Sequence, residues 1–188
     1  VLNLIILNGL VYLVQSLFDG QTGKITNMLA LWPLDSGGFK PYQLVSHMFT
    51  HGNIAHILFN MFALWSFGSW LERAWGPKRF LIFYLACGLA AGAAQLFLSN
   101  NAAVGASGAI MGLFAAFAYL FPNTELLMFP IPFPVKAKWA VAVMAAIDLF
   151  GGVQPAGSNI AHFAHLGGLV MGFILVIYWN KTNKKTFY

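Results

Sequence analysis

Six apolar runs alternate with polar connections along the chain. Each run is long enough for a membrane helix or nearly so, and none shows the strict alternation of a membrane β-barrel. Because lipid offers backbone groups no hydrogen-bond partners, apolar runs of this length are expected to be helical. The pattern predicts an all-α bundle of six transmembrane helices. The runs cover residues 1–18, 54–71, 80–98, 107–121, 139–150 and 162–179.

The composition agrees with lipid as the main solvent. Of the 188 residues, 59% are hydrophobic and 8% are charged, whereas a soluble domain carries about 25% charged residues. The length accommodates one bundle, so residues 1–188 are predicted to form a single domain. The first run lacks a basic leader and a small-x-small cleavage site, so we expect a span rather than a signal peptide. A single cysteine, Cys87, excludes an intrachain disulfide.

The basic residues predict the orientation of the bundle. The net charge of +5 arises from basic residues that lie between apolar runs, which is typical of topology signals and disfavours nucleic-acid binding. Only Lys24 and Lys40 fall on the opposite side, so both termini are expected in the cytoplasm. The second, fourth and sixth helices then run inward from the outer face. The cytoplasmic set is Arg73, Lys78, Arg79, Lys136, Lys138, Lys181, Lys184 and Lys185.

Two connections have features of their own. The longest covers residues 19–53, and its stretch 25–32 predicts a short helix at the membrane interface, with Trp32 as an anchor. The connection after the fourth run is expected to be irregular because it is rich in proline. Its prolines are Pro122, Pro130, Pro132 and Pro134.

Polar residues inside the apolar runs form three clusters. Polar groups within membrane spans are costly, and they usually mark function. His56 and Asn60 lie on the second helix, Ser107 opens the fourth, and His162 and His165 open the sixth. The orientation derived from lysine and arginine places all three clusters near the outer ends of inward-running helices. This common depth predicts one shared site.

The residue types in these clusters suit acyl transfer. Ser107 begins a helix, where backbone N–H groups have no helical acceptor and the positive dipole end favours an anion. His56 and Asn60 are four residues apart, so they share a helix face and can donate hydrogen bonds toward one point. An oxyanion needs such donors beside a nucleophilic hydroxyl. His165 is the expected general base for Ser107.

Small residues predict how these helices meet. The pairs Gly108/Gly112 and Gly168/Gly172 are spaced by four residues, which allows two helix backbones to approach closely in lipid. Gly88 and Gly92 repeat the spacing on the third helix. Close packing of the fourth and sixth helices would bring Ser107 to His165. The fourth run spans only about 22 Å against about 30 Å of hydrocarbon, so Ser107 is expected below the outer membrane surface.

These motifs resemble the rhomboid family of intramembrane serine proteases, in its minimal bacterial six-helix form. The resemblance covers essentially the whole chain and implies a dyad of Ser107 and His165, with His56, Asn60 and the Ser107 N–H as oxyanion donors. It implies no cofactor and no metal. It also implies transmembrane protein substrates that enter laterally from the lipid, and a bacterial inner membrane location with the site open to the outer side. The matching motifs are Gly105-Ala106-Ser107-Gly108, Ala164-His165-Leu166-Gly167-Gly168 with Gly172, and His56-Ile57-Leu58-Phe59-Asn60.

Two positions depart from the pattern of that family. Met111 stands four residues after the serine, where one bacterial member of the family carries a tyrosine that packs on the catalytic histidine. We expect Met111 to fill this supporting role as a flexible apolar group, alongside Gly105, Gly108 and Gly168. Tyr42-Gln43 occupies the place of a Trp-Arg pair in the long first connection.

Other functions compete with this interpretation. His47 and His51 have the i, i+4 spacing of zinc ligands, but no glutamate lies beside them to act as a base for a metal-dependent membrane hydrolase. A rhomboid-like protein that binds membrane helices without cleaving them would be expected to lack Ser107 or His165. A transporter is disfavoured because the polar groups lie at one depth and line no path across the membrane.

Four further residues are assigned structural roles. His47 and His51 are expected to bond the loop backbone. His162 is three residues before His165 and competes with it for the role of base, but we expect it to be a loop or interface residue. Asp148 is the only acidic residue within a predicted span. Because the family that this chain resembles uses a dyad, Asp148 is expected to face a loop or water at its helix end.

Overall fold

The computed structural model describes residues 1–127, 132–153 and 160–182, and over these ranges the chain is predominantly helical. The all-α prediction is confirmed, and the long helices begin and end within a few residues of the apolar runs. The helices are α1 (Leu2–Phe18), α2 (Lys24–Leu29), α3 (Gln43–Ser46), α4 (Ile54–Ala63), α5 (Ser69–Trp75), α6 (Pro77–Leu98), α7 (Ser107–Leu120), α8 (Ala137–Val153) and α9 (His162–Thr182).

The second predicted span is one continuous helical stretch with a change of pitch. A π-helical turn at Leu64–Gly68 joins α4 to α5. Within the described ranges, three stretches are long and apolar enough to cross a membrane, namely Ile54–Trp75, Pro77–Leu98 and His162–Thr182. α1 and α7 are apolar but shorter. The count of six spans therefore stays a prediction.

The helix that carries Ser107 lies at the centre of the bundle. Ten of the fourteen residues of α7 are buried, so neighbours surround it on nearly all sides. Its main partners are α6 and α9. The apolar core between them includes Phe83, Cys87 and Leu113, none of which is exposed. Outward-facing apolar side chains on α1 and α8, such as Leu13 and Ile147, suit contact with lipid.

Glycines set the distance between α7 and α9. A Cβ added at Gly168 would collide with the backbone of Gly108, and one added at Gly172 would lie 2.5 Å from the carbonyl oxygen of Gly112. The two helices thus meet backbone to backbone along the stripes that the sequence analysis paired. This close approach fixes the relative positions of the first turns of both helices.

The glycine pair on α6 serves a different purpose from the predicted one. Gly88 accommodates the Met48 side chain, and a Cβ at Gly92 would lie 3.1 Å from the ring of His47. These glycines receive side chains of the long first connection and not another helix backbone. α6 therefore anchors that connection against the bundle.

Hydrogen bonds also hold the long connection in place. The carboxylate of Asp19 accepts bonds from the backbone N–H groups of Ile25 and Thr26 at the start of α2. Burial raises the pKa of Asp19, but the bonds from Thr26 and Ile25 outweigh it and hold the pKa below the usual value. The predicted short helix is present at Lys24–Leu29, but Trp32 lies beyond its end. The Trp32 indole donates to the Asn27 carbonyl.

Gln43 organises the part of the connection in which the sequence departs from the family pattern. Its buried side-chain oxygen accepts a hydrogen bond from the Lys40 N–H at 3.1 Å, and its nitrogen donates to the Gly38 carbonyl at 3.2 Å. Further along, Leu31 exchanges backbone hydrogen bonds with Ala103, each 2.9 Å long. The connection is thereby tied to the segment that leads into α7.

The connection between α7 and α8 contains a two-stranded antiparallel hairpin, β1 (Glu125–Leu126) and β2 (Val135–Lys136). The prolines led to the expectation of irregular structure here, and the hairpin is a correction to it. Short edge pairings of this kind leave little sequence signal, because two residues are too few to show an alternating pattern. Pro130 lies outside the described residues.

Candidate active site

Ser107 is the first residue of α7, and the segment before it is held in an unusual backbone conformation. Gly105 has a φ of +119°, which side-chain-bearing residues rarely adopt. Its N–H donates to the His47 carbonyl at 2.9 Å. The first i to i−4 bond of the helix runs from the Ile110 N–H to the Ala106 carbonyl. The N–H groups of Ser107 and the next two residues therefore have no acceptor within the helix and remain available to an anion.

His165 lies in the first turn of α9, beside the start of α7. Its Nε2 is 2.8 Å from the Ser107 Oγ. Both side chains are partly buried, and the exposed fraction of the His165 side chain is 18%. A hydroxyl donating to an imidazole nitrogen at this distance is poised to give up its proton during attack on a carbonyl. The structure brings together the two residues that the sequence analysis paired.

His56 reaches the same place from α4. The Asn53 side chain caps the helix by accepting the His56 N–H at 2.9 Å. The Gly52 N–H donates to Nδ1 of His56 at 3.4 Å, so in the neutral ring the proton belongs on Nε2. Nε2 lies over Gly105, where a Cβ would come within 2.7 Å of it. The ring thus places an N–H donor beside Gly105, which is two residues before Ser107 in the sequence.

Asn60 is buried one helical turn below His56. Among the residues that the structure describes, its side-chain nitrogen has no hydrogen-bond partner. A buried donor without a partner costs free energy, typically 1–3 kcal/mol. Such a donor is expected where an incoming ligand oxygen completes the bond. The oxyanion roles of His56, Asn60 and the Ser107 N–H stay predictions.

Asp148 and His162 lie elsewhere than the sequence analysis placed them. Asp148 is 5% exposed and faces the histidines, not a loop or water. Its Oδ1 is 2.7 Å from Nδ1 of His162 and 3.0 Å from Nδ1 of His165. His162 was expected in a loop or at the interface, and the structure places it buried in the first turn of α9 and not in a loop. The carboxylate is desolvated by the bundle, so it takes hydrogen bonds from the nearest donors.

The signal for this contact was present in the sequence. Polar residues within apolar runs indicate function, and Asp148 was the only acidic one. Asp148 was nevertheless expected to face a loop or water, because the resemblance implies a mechanism that uses only a serine and a histidine. The spacing of His162 and His165 by three residues also places both rings on one helix face, toward a common partner.

The remaining histidines are held by the long connection. His47 donates from Nδ1 to the Gln43 carbonyl at 2.7 Å, as expected for a residue that bonds the loop backbone. Burial lowers the pKa of His47 to about 4, so its ring is neutral at physiological pH. Burial, and then the nearby His56, lower the pKa of His51 to about 4. The rings of His51 and His56 meet edge to face, with centroids 5.0 Å apart.

The supporting residues divide between two regions. Gly105 accommodates the His56 ring, and Gly108 and Gly168 bring α7 against α9. Met111 is buried in an apolar cluster with Val141 of α8 and Leu169 of α9. Within the described parts of the chain, no three His, Cys, Asp or Glu side chains converge in an arrangement suited to a metal ion.

Comparison with known proteins identifies the family. The family model described as the Rhomboid domain matches residues 38–181. The rhomboid protease GluP of Bacillus subtilis is 37% identical over 133 residues, which are 70% of this chain and 25% of GluP. Rhomboid protein 1, mitochondrial, of Saccharomyces cerevisiae is 33% identical over 76% of this chain and 43% of its own length.

A third relative is matched over more of its length. The rhomboid protease GlpG of Haemophilus influenzae is 28% identical over 169 residues, which cover 88% of this chain and 82% of GlpG. The chain spans a quarter of GluP and less than half of the yeast protein. With the apolar helices described above, these matches identify an integral membrane protein. The domain match covers well over half of the sequence, and the chain therefore belongs to the rhomboid family.

Proposed function

We propose that this chain is an intramembrane serine endopeptidase that hydrolyses peptide bonds in or near transmembrane helices. The observation that carries the proposal is the 2.8 Å contact between the Ser107 Oγ and Nε2 of His165, at the start of a central helix. Several relatives are named as rhomboid proteases, which supports the same chemistry. Ser107 is the nucleophile and His165 is the general base.

Attack begins with the transfer of one proton. As the Ser107 Oγ bonds to the scissile carbonyl carbon, His165 Nε2 accepts the hydroxyl proton. The same proton then passes to the leaving amine as the peptide C–N bond breaks. In the second half of the reaction, His165 takes a proton from the water that attacks the acyl-enzyme. It then returns that proton to the Ser107 Oγ as the ester bond breaks, and the hydroxyl is regenerated. No cofactor enters this sequence of steps.

The oxyanion of the tetrahedral intermediate is stabilised by three donors. These are the Ser107 N–H, which has no helical acceptor, Nε2 of His56 over Gly105, and the amide nitrogen of Asn60, which has no partner among the described residues. Donors that are fixed before the reaction stabilise developing charge without reorganising. Removing one such donor is expected to lower kcat by about 10²–10³-fold.

The substrate is a membrane protein whose transmembrane segment enters the site from the lipid. Both termini of this six-helix domain lie in the cytoplasm, and the site opens toward the outer side of a bacterial inner membrane. The distribution of lysine and arginine supports this orientation. Ser107 lies below the membrane surface because α7 is short.

The test uses the detergent-solubilised chain, a fluorophosphonate probe and a transmembrane model substrate. Labelling and cleavage are compared for the parent chain, Ser107→Ala and His165→Ala, each with and without a chelator. Ser16→Ala is the matched control, since its hydroxyl is exposed and bonds to the Tyr12 carbonyl of its own helix. We expect labelling and cleavage to disappear in Ser107→Ala and His165→Ala and to persist in Ser16→Ala. The chelator should have no effect on the parent chain.

Two other results would each assign a different function. A chain that binds the substrate but is neither labelled nor able to cleave it would be a rhomboid-like protein that holds membrane helices. Cleavage that persists in Ser107→Ala but stops with the chelator would identify a metal-dependent hydrolase. Either result would overturn the assignment of Ser107 as the nucleophile.

A further inference from the structure

A buried carboxylate completes a chain of hydrogen bonds behind the proposed base. The chain runs from the Ser107 Oγ to Nε2 of His165 at 2.8 Å, and from Nδ1 of His165 to Oδ1 of Asp148 at 3.0 Å. His162 contacts the same oxygen through Nδ1 at 2.7 Å. We propose that Asp148 is a positioning residue, held by His162, that fixes the ring orientation and the tautomer of His165. This inference rests on the function proposed above.

The hydrogen-bond chemistry assigns the tautomer. An ionised carboxylate only accepts hydrogen bonds, so the nitrogen that faces Asp148 must carry a proton. The neutral ring of His165 therefore has its proton on Nδ1 and a lone pair on Nε2. That lone pair faces the Ser107 Oγ, which is the arrangement a general base requires. Without Asp148 the proton could occupy Nε2 instead, and the ring would be unable to accept the serine proton.

The same contact stabilises the charge that forms during attack. When Nε2 takes the proton from Ser107, His165 becomes an imidazolium, and its Nδ1 proton remains directed at the carboxylate. The side chain of Asp148 is 7% exposed, so water screens this attraction only weakly. Asp148 stays ionised throughout and receives no proton, so the atoms and charges of each step balance.

His162 has a defined place in this arrangement. Its ring packs against Gly151 of α8, where an added Cβ would lie 2.5 Å from both Cε1 and Nε2. Gly151 is three residues after Asp148, so the ring and the carboxylate share one face of α8. A second donor on Oδ1 keeps the carboxylate from rotating away from His165. His162 therefore acts on the base through Asp148.

A purely structural alternative assigns Asp148 the task of tying α8 to α9. The two interpretations differ in what a substitution changes. Loss of a structural tie lowers the melting temperature, whereas loss of a positioning residue lowers kcat, leaves KM unchanged and alters the protonation of the His165 ring. The variants Asp148→Asn and Asp148→Glu, with Glu125→Gln as an exposed carboxylate control, separate these effects.

The experiment measures kcat and KM on the transmembrane substrate, the melting temperature, and the ¹⁵N resonances of the histidine rings in detergent. We expect Asp148→Asn to lower kcat at least about tenfold with KM within about twofold, and to move the His165 resonances away from the Nδ1–H pattern. Asp148→Glu should restore part of the rate. Glu125→Gln should behave as the parent chain.

A second pair of variants tests the outer histidine. Asparagine can place an N–H near the position of Nδ1, so His162→Asn should retain most of kcat, whereas His162→Ala should lower it. If Asp148→Asn fails to fold, this pair and the ring resonances still decide the question. The proposal is overturned if Asp148→Asn cleaves at the parent rate. It is also overturned if His162→Ala cleaves at the parent rate and leaves the ¹⁵N resonances of His165 unaltered.

The Ser107→Ala variant distinguishes a failure of the positioning role from a failure of the proposed protease function. If Ser107→Ala is inactive while Asp148→Asn is fully active, the serine protease assignment stands and the positioning role fails. If Ser107→Ala cleaves as well as the parent chain, the proposed function itself fails.

Discussion

Replacing Gly168 with alanine tests whether the close approach of α7 and α9 sets the geometry between serine and histidine. An added Cβ at Gly168 would collide with the backbone carbonyl of Gly108, one residue after Ser107. Backbone atoms cannot rotate away as a side chain can. The two helices must therefore separate, and they must do so within one turn of His165.

The size of the separation follows from the neighbouring contact. A Cβ at Gly172 would lie 2.5 Å from the Gly112 oxygen, whereas carbon and carbonyl oxygen settle at about 3.3 Å. The helices would part by about 0.8 Å there, and by more at Gly168. The same displacement lengthens the contact between Ser107 and His165 from 2.8 Å to about 3.6 Å, beyond hydrogen-bond range.

The expected loss is larger in activity than in stability. A misplacement of this size is expected to lower kcat about 10²-fold. Overpacking costs about 1–3 kcal/mol, from which alanine's better helix propensity recovers up to about 1 kcal/mol. The measurements are kcat on the transmembrane substrate and the melting temperature in detergent, with Gly172→Ala as a milder variant of the same kind.

Gly9→Ala is the matched control for this prediction. Gly9 lies in α1, and an added Cβ there meets no atom of the described residues within 4 Å, so the melting temperature should stay the same or rise. Full activity and an unchanged melting temperature for Gly168→Ala would refute the reasoning, since they would mean that the two helices have room for a methyl group between them.

Three further outcomes are expected. Gly105→Ala should abolish cleavage, because φ +119° is strained for alanine and its Cβ would displace the His56 ring; a kcat within tenfold of the parent value would contradict this. Asn53→Ala should lower stability by about 1 kcal/mol in denaturant titrations, while Asn53→Asp keeps the cap and should not. Because the pKa of His47 is about 4 in the fold and about 6.5 when unfolded, stability is retained above pH 6.5 and lost as the pH falls toward 4. The charging of His47 should contribute about 2 kcal/mol to the loss between pH 7.5 and 5, and the loss should be smaller by about that amount in His47→Gln.

Much of the fold is predictable because lipid imposes a simple rule on the sequence. Backbone groups must be satisfied within each apolar run, so the position of a run predicts the position of a helix. α7 begins at Ser107, where the sequence analysis placed its start. The stripes of glycine predicted that α7 meets α9, because in lipid close packing requires small residues. Those two inferences brought Ser107 close to His162 and His165, and the resemblance to the rhomboid family, with the glycines that follow, selected His165.

What the sequence did not reveal depends on contacts between distant segments. Gly88 and Gly92 carry the same spacing as the other pairs, and only the path of the long connection shows that they receive Met48 and His47. Asp148 and His162 lie near the facing ends of α8 and α9. The local sequence does not determine how each helix is rotated about its axis, and therefore does not show that these side chains meet. The spacing of His162 and His165 indicates a shared partner, but it does not identify Asp148 as that partner.

If a substrate entered by displacing α8, the proposed role of Asp148 would make the proposed base dependent on the position of that helix. A helix with its side chains is about 10 Å wide, so a substrate that entered by displacing α8 would carry Asp148 out of reach of His165. Cleavage would then wait until α8 returned. A substrate segment that dissociated before α8 returned would not be cleaved. The time that a segment stays bound, as well as its amino-acid sequence, would then determine which membrane proteins are cleaved.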